Sequence, residues 1–440
     1  MSVSNEVHCS PQNALKTIAN SNDDSRKEDE NPSMKCDNPI SGALANGFGN
    51  AVDKDRPYDS GDRYVQDSTG FTGFLKQFHG QTGQLESCQD DIKSVMLTLS
   101  SSSLTSIPES VLEHTNLTQL FLDYNDIDEI PESLCERLHQ LTVLSVAGNN
   151  LQEIPATIHH LQHLHELNIS ENQIAILPPL IIKMAELRVF NFVGNCIEQL
   201  PAEFGRLTSL KRLYGYENRL EMLPDTFGLL RQLEVLELGD NKLKTLPRNF
   251  GFLCQLHTLN LSGNQLSLLP DCFSNLEHLE MLDLSNNGLH QLPARLRSCR
   301  RLRRLFVERN LLQFLPDWFG DMPALEELGA KENHLSESPL PVAFGNSSQK
   351  LRMLELGGNF MKTLPESFGR LRCLEKLHLG SVIPELERRN FQNGNWLWKL
   401  PENFGDLANL HHANLNENQL CELPESFGNL LLLEWLDLGK

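Results

Sequence analysis

The sequence predicts an α/β solenoid, in which short parallel strands stack coil on coil and each is followed by a convex segment. Three observations carry this. Leucines recur in one frame every 23 residues, an asparagine returns at one place in nearly every coil, and Leu-Pro closes each coil ahead of a recurring Phe-Gly. In LEVLELGDNKLKTLP the fixed places are Leu233, Leu236, Leu238, Asn241, Leu243, Leu246 and Pro247. The frame returns at Leu256, Leu259, Leu261, Asn264, Leu266, Leu269 and Pro270, and again from Leu279 to Pro293.

Each place in the frame has a physical reason. One coil is too small to bury its own apolar face, so stacking must place the leucines of neighbouring coils in one core. Leu236 and Leu238 alternate around Glu237, the period of a strand with one face inward. The asparagine stands where the chain leaves the strand, and its amide can donate and accept to backbone groups of the turn and of the next coil. The proline fixes φ as the convex segment begins. Phe-Gly, as at Phe227-Gly228, Phe250-Gly251 and Phe368-Gly369, supplies a large core residue and, it is expected, a flexible corner.

The frame covers residues 94–440 in about fifteen coils. The first is degenerate, with Ser102 where the asparagine belongs, as terminal repeats are expected to be. The ladder then reads Asn125, Asn149, Asn172, Asn195, Asn218, Asn241, Asn264, Asn287, Asn310, Asn333, Asn359, Asn395 and Asn418. Most steps are 23, but Asn333 to Asn359 is 26 and Asn359 to Asn395 is 36. The longer step implies a loop over 380–394 leaving the end of a regular strand, followed by Trp396 and Trp398. Such insertions project from one face and are candidate binding loops. In the last coil Leu433, Leu436 and Leu438 fit, and the next asparagine would fall at 441; the expectation is a fragment or an end covered by another chain.

Residues 1–70 are rich in Ser, Asn, Asp, Gly and Pro and read as a disordered tail. Apolar residues reappear at Phe71, Phe74, Leu75, Phe78 and Leu85, so 71–93 reads as a short cap on the first coil.

Composition narrows the function. The chain has 440 residues and a net charge of −20, which disfavours nucleic acid and anionic membrane as general partners. Ten cysteines show no CxxC and no Cys/His metal spacing. The N-terminus shows no apolar signal core, and no 18-residue apolar run is present, so the expectation is a cytoplasmic protein without membrane insertion. No G-x-S-x-G elbow, P-loop or HExxH occurs, and no catalytic residue, metal ligand or cofactor is expected. His159, His160, His163 and His165 cluster, but Leu161 and Leu164 take the core places and leave the histidines facing solvent.

What remains is the concave strand surface, where the third, fifth, seventh and eighth places of L-x-x-L-x-L-x-x-N face outward. Three coils stand out there: Phe121, Asp123 and Tyr124; Arg212, Tyr214, Tyr216 and Glu217, with Gly215 replacing a core leucine; and Arg304, Phe306, Glu308 and Arg309. The acidic Glu237, Asp240 and Asp283 lie between the latter two. Aromatics beside arginine are the residue types enriched at interface hot spots. RLRSCRRLRR adds Arg295, Arg297, Arg300, Arg301, Arg303 and Arg304, either a solvated face paired with acids or a patch for an acidic partner or phosphate.

The frame L-x-x-L-x-L-x-x-N-x-L-x-x-L-P-x-x-F-G-x-L resembles the proline-containing class of leucine-rich repeats. Within that class it is similar to the Ras-pathway scaffolds of the Shoc/Sur type, the Scribble and Erbin family, and plant Ras-group repeat proteins. The resemblance implies a non-enzymatic scaffold in intracellular signalling that gathers a small GTPase or a phosphatase subunit on its concave face. An alternative is the recognition arm of a larger enzyme, such as a ubiquitin ligase, kinase or GTPase.

Overall fold

A computed structural model of the chain describes residues 86–87, 95–382 and 394–439. The chain divides into two units, Met1–Gln77 and Phe78–Lys440, and all described residues belong to the second. The expected tail, most of the expected cap and positions 383–393 of the inserted loop lie outside the described residues.

The described unit is a leucine-rich repeat solenoid. Fifteen strands follow one another in parallel, and a two-residue strand, Glu86–Ser87, pairs antiparallel with the first of them, Val95–Thr98. Register is set by the leucines: Leu213, Leu236, Leu259, Leu282 and Leu305 stand opposite one another in successive strands. All five have no exposed surface. A one-residue slip would turn this whole row to solvent, which is why the frame tolerates no shift within a strand. The end of the frame is different: Leu436 and Leu438 are 37% and 45% exposed.

The convex segments are mostly single 3-10 turns, such as Phe227–Leu229 and Phe250–Phe252, with short α-helices at Glu109–Leu112, Glu132–Arg137 and Phe344–Ser347. Their phenylalanines form a spine. The rings of Phe204, Phe227 and Phe250 stack at 6.3 Å, and Phe250 and Phe273 at 5.5 Å. The glycine after each phenylalanine is not the flexible corner expected from the sequence. Gly205, Gly228, Gly251 and Gly369 do not take positive φ; a Cβ on any of them would collide with the backbone carbonyl of the next coil, from Thr226, Asn249, Cys272 and Asn403 in turn. They let coils approach.

The asparagine ladder holds each coil to the one before it. Asn218 Nδ2 donates to Phe192 O at 2.9 Å and to Tyr216 O at 3.2 Å, while its Oδ1 accepts from Ile197 N at 3.0 Å. Asn195, Asn241, Asn264 and Asn310 repeat the pattern. After the long step Asn395 still takes its ladder place, donating to Leu356 O and Leu379 O and accepting from Met361 N. The 26-residue step is absorbed by an added two-strand pairing, Ser336–Glu337 with Phe360–Met361.

Candidate functional site

The residue before each ladder asparagine carries a feature absent from the sequence reading. From Tyr124 to Glu417, with Gly394 before Asn395 the exception, it takes φ between 49° and 65°, at Gly148, Gly194, Gly263 and Gly358 but also at Glu171, Glu217, Asp240, Asn286, Arg309 and Glu332. In this left-handed region a Cβ is unfavourable by about 1–2 kcal/mol. The alternation of Gly and Asn with larger residues was the available sequence signal. The strained backbone aims these side chains across the sheet toward the neighbouring coil. Arg309 Nε thus meets Glu332 Oε1 at 2.9 Å, and Tyr124 lies over Gly148, where a Cβ would strike its ring.

The Asn218 coil presents Arg212, Tyr214 and Tyr216 on the sheet face, with Tyr216 37% exposed and Tyr214 half-buried. Gly215 between the tyrosines gives its space to the Phe192 ring of the preceding coil. Around Tyr216 stand Glu171, Glu217, Glu237 and Asp240. Burial first, then these four carboxylates, push its hydroxyl pKa up. Burial, Asp240 and Glu171 push the Glu217 carboxyl up as well. The side chains of Glu171, Glu217, Asp240 and Arg212 make no hydrogen bond or ion pair among the described residues.

Several expected contact residues are covered. Phe121 is a correction: it is only 7% exposed, because face residues of strands about 4.8 Å apart shield one another. Asp123 beside it accepts from Ser145 Oγ and from Ala147 N at 2.8 Å, and burial raises its pKa. Asp283 is buried too, accepts from Ser285 N at 2.8 Å, and is pushed up to about 7, chiefly by burial. Tyr124 stays 48% exposed. Phe306 and Glu308 are half-buried over Gly329, where a Cβ would strike both, and Glu308 accepts from Ser285 Oγ at 2.8 Å.

Trp396 and Trp398 are exposed where the chain leaves the sheet after Asn395. Trp396 packs edge-on against Phe360 at 5.4 Å, and Lys399 Nζ sits 4.8 Å over the Trp398 ring. The six arginines do not form one patch. Arg304 lies in a strand, Arg295 and Arg297 in a 3-10 turn, and Arg303 binds both oxygens of Glu326 at 3.0 and 2.8 Å. Arg300 and Arg301 join Arg303, Lys350, Glu280 and Glu326 around a depression of about 250 Å³. His163 and His165 each lie 3.4 Å from Glu186. Among the described residues no group of three or more His, Cys, Asp or Glu is placed to hold a metal, and no helix is long and apolar enough to cross a membrane.

Known families match this geometry. The leucine rich repeat family matches residues 95–151, 115–174 and 216–266, and the leucine-rich repeat region family matches 247–338. The chain carries leucine-rich repeats. Bovine osteomodulin is 35% identical to this leucine-rich repeat chain over 82 residues, 19% of either protein. A probable serine/threonine-protein kinase of Dictyostelium discoideum is 40% identical over 50 residues, 11% of this chain and 4% of the kinase. The matches therefore span about a fifth, or far less, of those proteins. Among solved structures, a leucine-rich repeat protein of Leptospira interrogans is similar at 26% identity and TM-score 0.60, over 78% of this chain and 95% of that one. The plant peptide hormone receptor RGFR1 in complex with RGF2 is similar at 28% identity and TM-score 0.58, over 78% and 62%.

Proposed function

We propose that the chain is a non-enzymatic scaffold that binds a protein partner on its concave sheet face, centred on the Asn218 coil. One observation carries this reading: Arg212, Tyr214 and Tyr216 face outward beside carboxylates of Glu171, Glu217 and Asp240 that no described residue neutralises. Tyrosines beside an arginine are the residue types enriched at interface hot spots, and the open carboxylates around them can meet a cationic rim of the partner. RGFR1, a protein of similar fold, has been solved in complex with RGF2. The contact residues in this reading are Arg212, Tyr214, Tyr216 and Glu217, with Tyr124, Phe306, Glu308 and Arg309 on outlying coils and Trp396 and Trp398 beside the insertion. The likeness to Ras-pathway scaffolds makes a small GTPase or a phosphatase subunit in the cytoplasm the partner class to try first. Capture from native lysate, with the full chain as bait in GTP-analogue and GDP buffers, tests it. Substituting Tyr214→Ala and Tyr216→Ala together is expected to release the partner without lowering the melting temperature; unchanged capture removes this site.

A second reading is the recognition arm of a larger enzyme. The match to a protein named as a probable kinase favours it, since the matched stretch is only 4% of that protein. Mass spectrometry of the endogenous protein decides between them: a chain of 49.8 kDa supports the scaffold, and a longer chain with a catalytic domain supports the arm.

A further inference from the structure

The residue just before each Leu-Pro points outward on the flank where the chain descends from the sheet. At Ile176, Met222, Leu268 and Phe314 it is apolar and exposed, by 75%, 61%, 61% and 52%. These four are spaced 46 residues apart, two coils each; the coils between place Gln199, Thr245 and Gln291 there. The superperiod extends to charge. Met222, Leu268 and Phe314 are each followed three residues on by an exposed aspartate, Asp225, Asp271 and Asp317. None of the three carboxylates has a partner among the described residues. The coils between carry Arg248 and Ala294 at that place. Neither the core nor the ladder needs a two-coil repeat, since both have a period of one coil.

Spacing says what the row fits. Coils lie about 4.8 Å apart at the sheet, and the phenylalanine spine is spaced at 6.3 Å. Every second coil on the flank is therefore about 10–13 Å from the last. Seven residues of α-helix rise about 10.5 Å, so side chains at heptad spacing on one helix face meet the row in step. A polyproline II segment repeats every ~9.3 Å and falls short. Between Leu268 and Phe314 the flank opens into a groove of about 650 Å³ lined by Leu292, Pro293, Pro316 and Trp318, wide enough for an apolar side chain. The Trp318 indole N–H at this groove is buried without a hydrogen-bond partner.

We infer that this flank is a second protein-binding surface, whose occupant is an amphipathic helix of a partner protein with apolar residues every seventh position and Lys or Arg along one edge, opposite Asp225, Asp271 and Asp317. Four heptad contacts span about 32 Å, or roughly 22 residues of helix. The surface is separate from the sheet face, so a scaffold could hold two partners at once.

The test uses the full chain and a fluorescent 25-residue peptide with Leu at every seventh position and Lys three residues after each. Anisotropy should show saturable binding that weakens as salt screens the aspartates. Substituting Met222→Ser, Leu268→Ser and Phe314→Ser together should weaken binding about thirtyfold or more, with the melting curve unchanged because all three are exposed. Asp225→Asn, Asp271→Asn and Asp317→Asn together should remove the salt dependence. Tyr214→Ala with Tyr216→Ala should change nothing. No saturable binding, equal affinity for a peptide with the leucines respaced to every fifth position, or full affinity in the triple serine variant would overturn the inference.

Discussion

The ring of Phe192 fills the place that a side chain at position 215 would need, so the lost core leucine of the Asn218 coil is replaced from the coil before it. Phe192 has no exposed surface and packs 5.1 Å from Phe190, and Gly215 is buried. Gly215→Leu alone should cost about 3 kcal/mol through overpacking. Phe192→Leu alone should cost about 1–2 kcal/mol through the cavity it leaves. Together they restore the ordinary frame, and the double variant should recover about 2 kcal/mol relative to the sum. Urea unfolding of the four proteins measures this; additive costs would mean that the two sites do not share one space.

The left-handed position before the ladder asparagine yields a second prediction. Glu171 sits there at φ 53° with an exposed, unpartnered side chain. Glu171→Gly should stabilise the fold by up to about 1 kcal/mol, because glycine takes this φ without penalty. Glu171→Val should destabilise it by about 1 kcal/mol or more. Thermal denaturation of the two variants side by side reads the difference. If Gly and Val behave alike, the backbone at 171 is not constrained as described.

The leucine frame and the ladder were legible because each repeats its own chemistry every 23 residues, as Asn218 and Asn241 do. Even the 36-residue step hid nothing of the ladder, for Asn395 takes its place. What escaped depends on a neighbouring coil. Gly228 looks like a corner until the Asn249 carbonyl is seen against it, and Phe121 looks exposed until its neighbours on the sheet cover it. The 46-residue row at Ile176, Met222, Leu268 and Phe314 was present in the sequence, but a frame one coil long reads each residue as an isolated surface position.

Asp283 gives the solenoid a pH dependence. Its folded pKa of about 7 lies above the ordinary carboxylate value of 3.8, so the folded state holds the proton more tightly than the unfolded chain. The neutral carboxyl is therefore accommodated at low pH, and stability falls as pH rises from about 4 to 7. Asp283→Asn keeps an acceptor for Ser285 N and carries no charge. It should be more stable than the native chain by roughly 2–4 kcal/mol at pH 8 and indistinguishable from it at pH 4. Urea titrations at the two pH values check this; an equal difference at both would show that Asp283 titrates normally.

The ion pair of Lys331 and Glu355, 3.0 Å apart with side chains 12% and 8% exposed, bridges two adjacent coils on the sheet face. Lys331→Met should cost about 1–3 kcal/mol, because it removes the cation 3.0 Å from a covered carboxylate. Lys331→Met with Glu355→Gln should cost much less. Chemical denaturation separates the two cases, and a mild effect of Lys331→Met alone would mean that water reaches the carboxylate.

The claim that the Asn218 coil is the partner-binding surface is tested most directly by placing a photo-crosslinking amino acid at Tyr216 on the sheet and, as a control, at Phe252 on the convex side, which is 50% exposed. Irradiation in native lysate should yield one dominant protein adduct from position 216, absent from position 252 and lost when Tyr214→Ala is added. The same adducts from both positions, or none from 216 while the chain still captures its partner, would contradict the account.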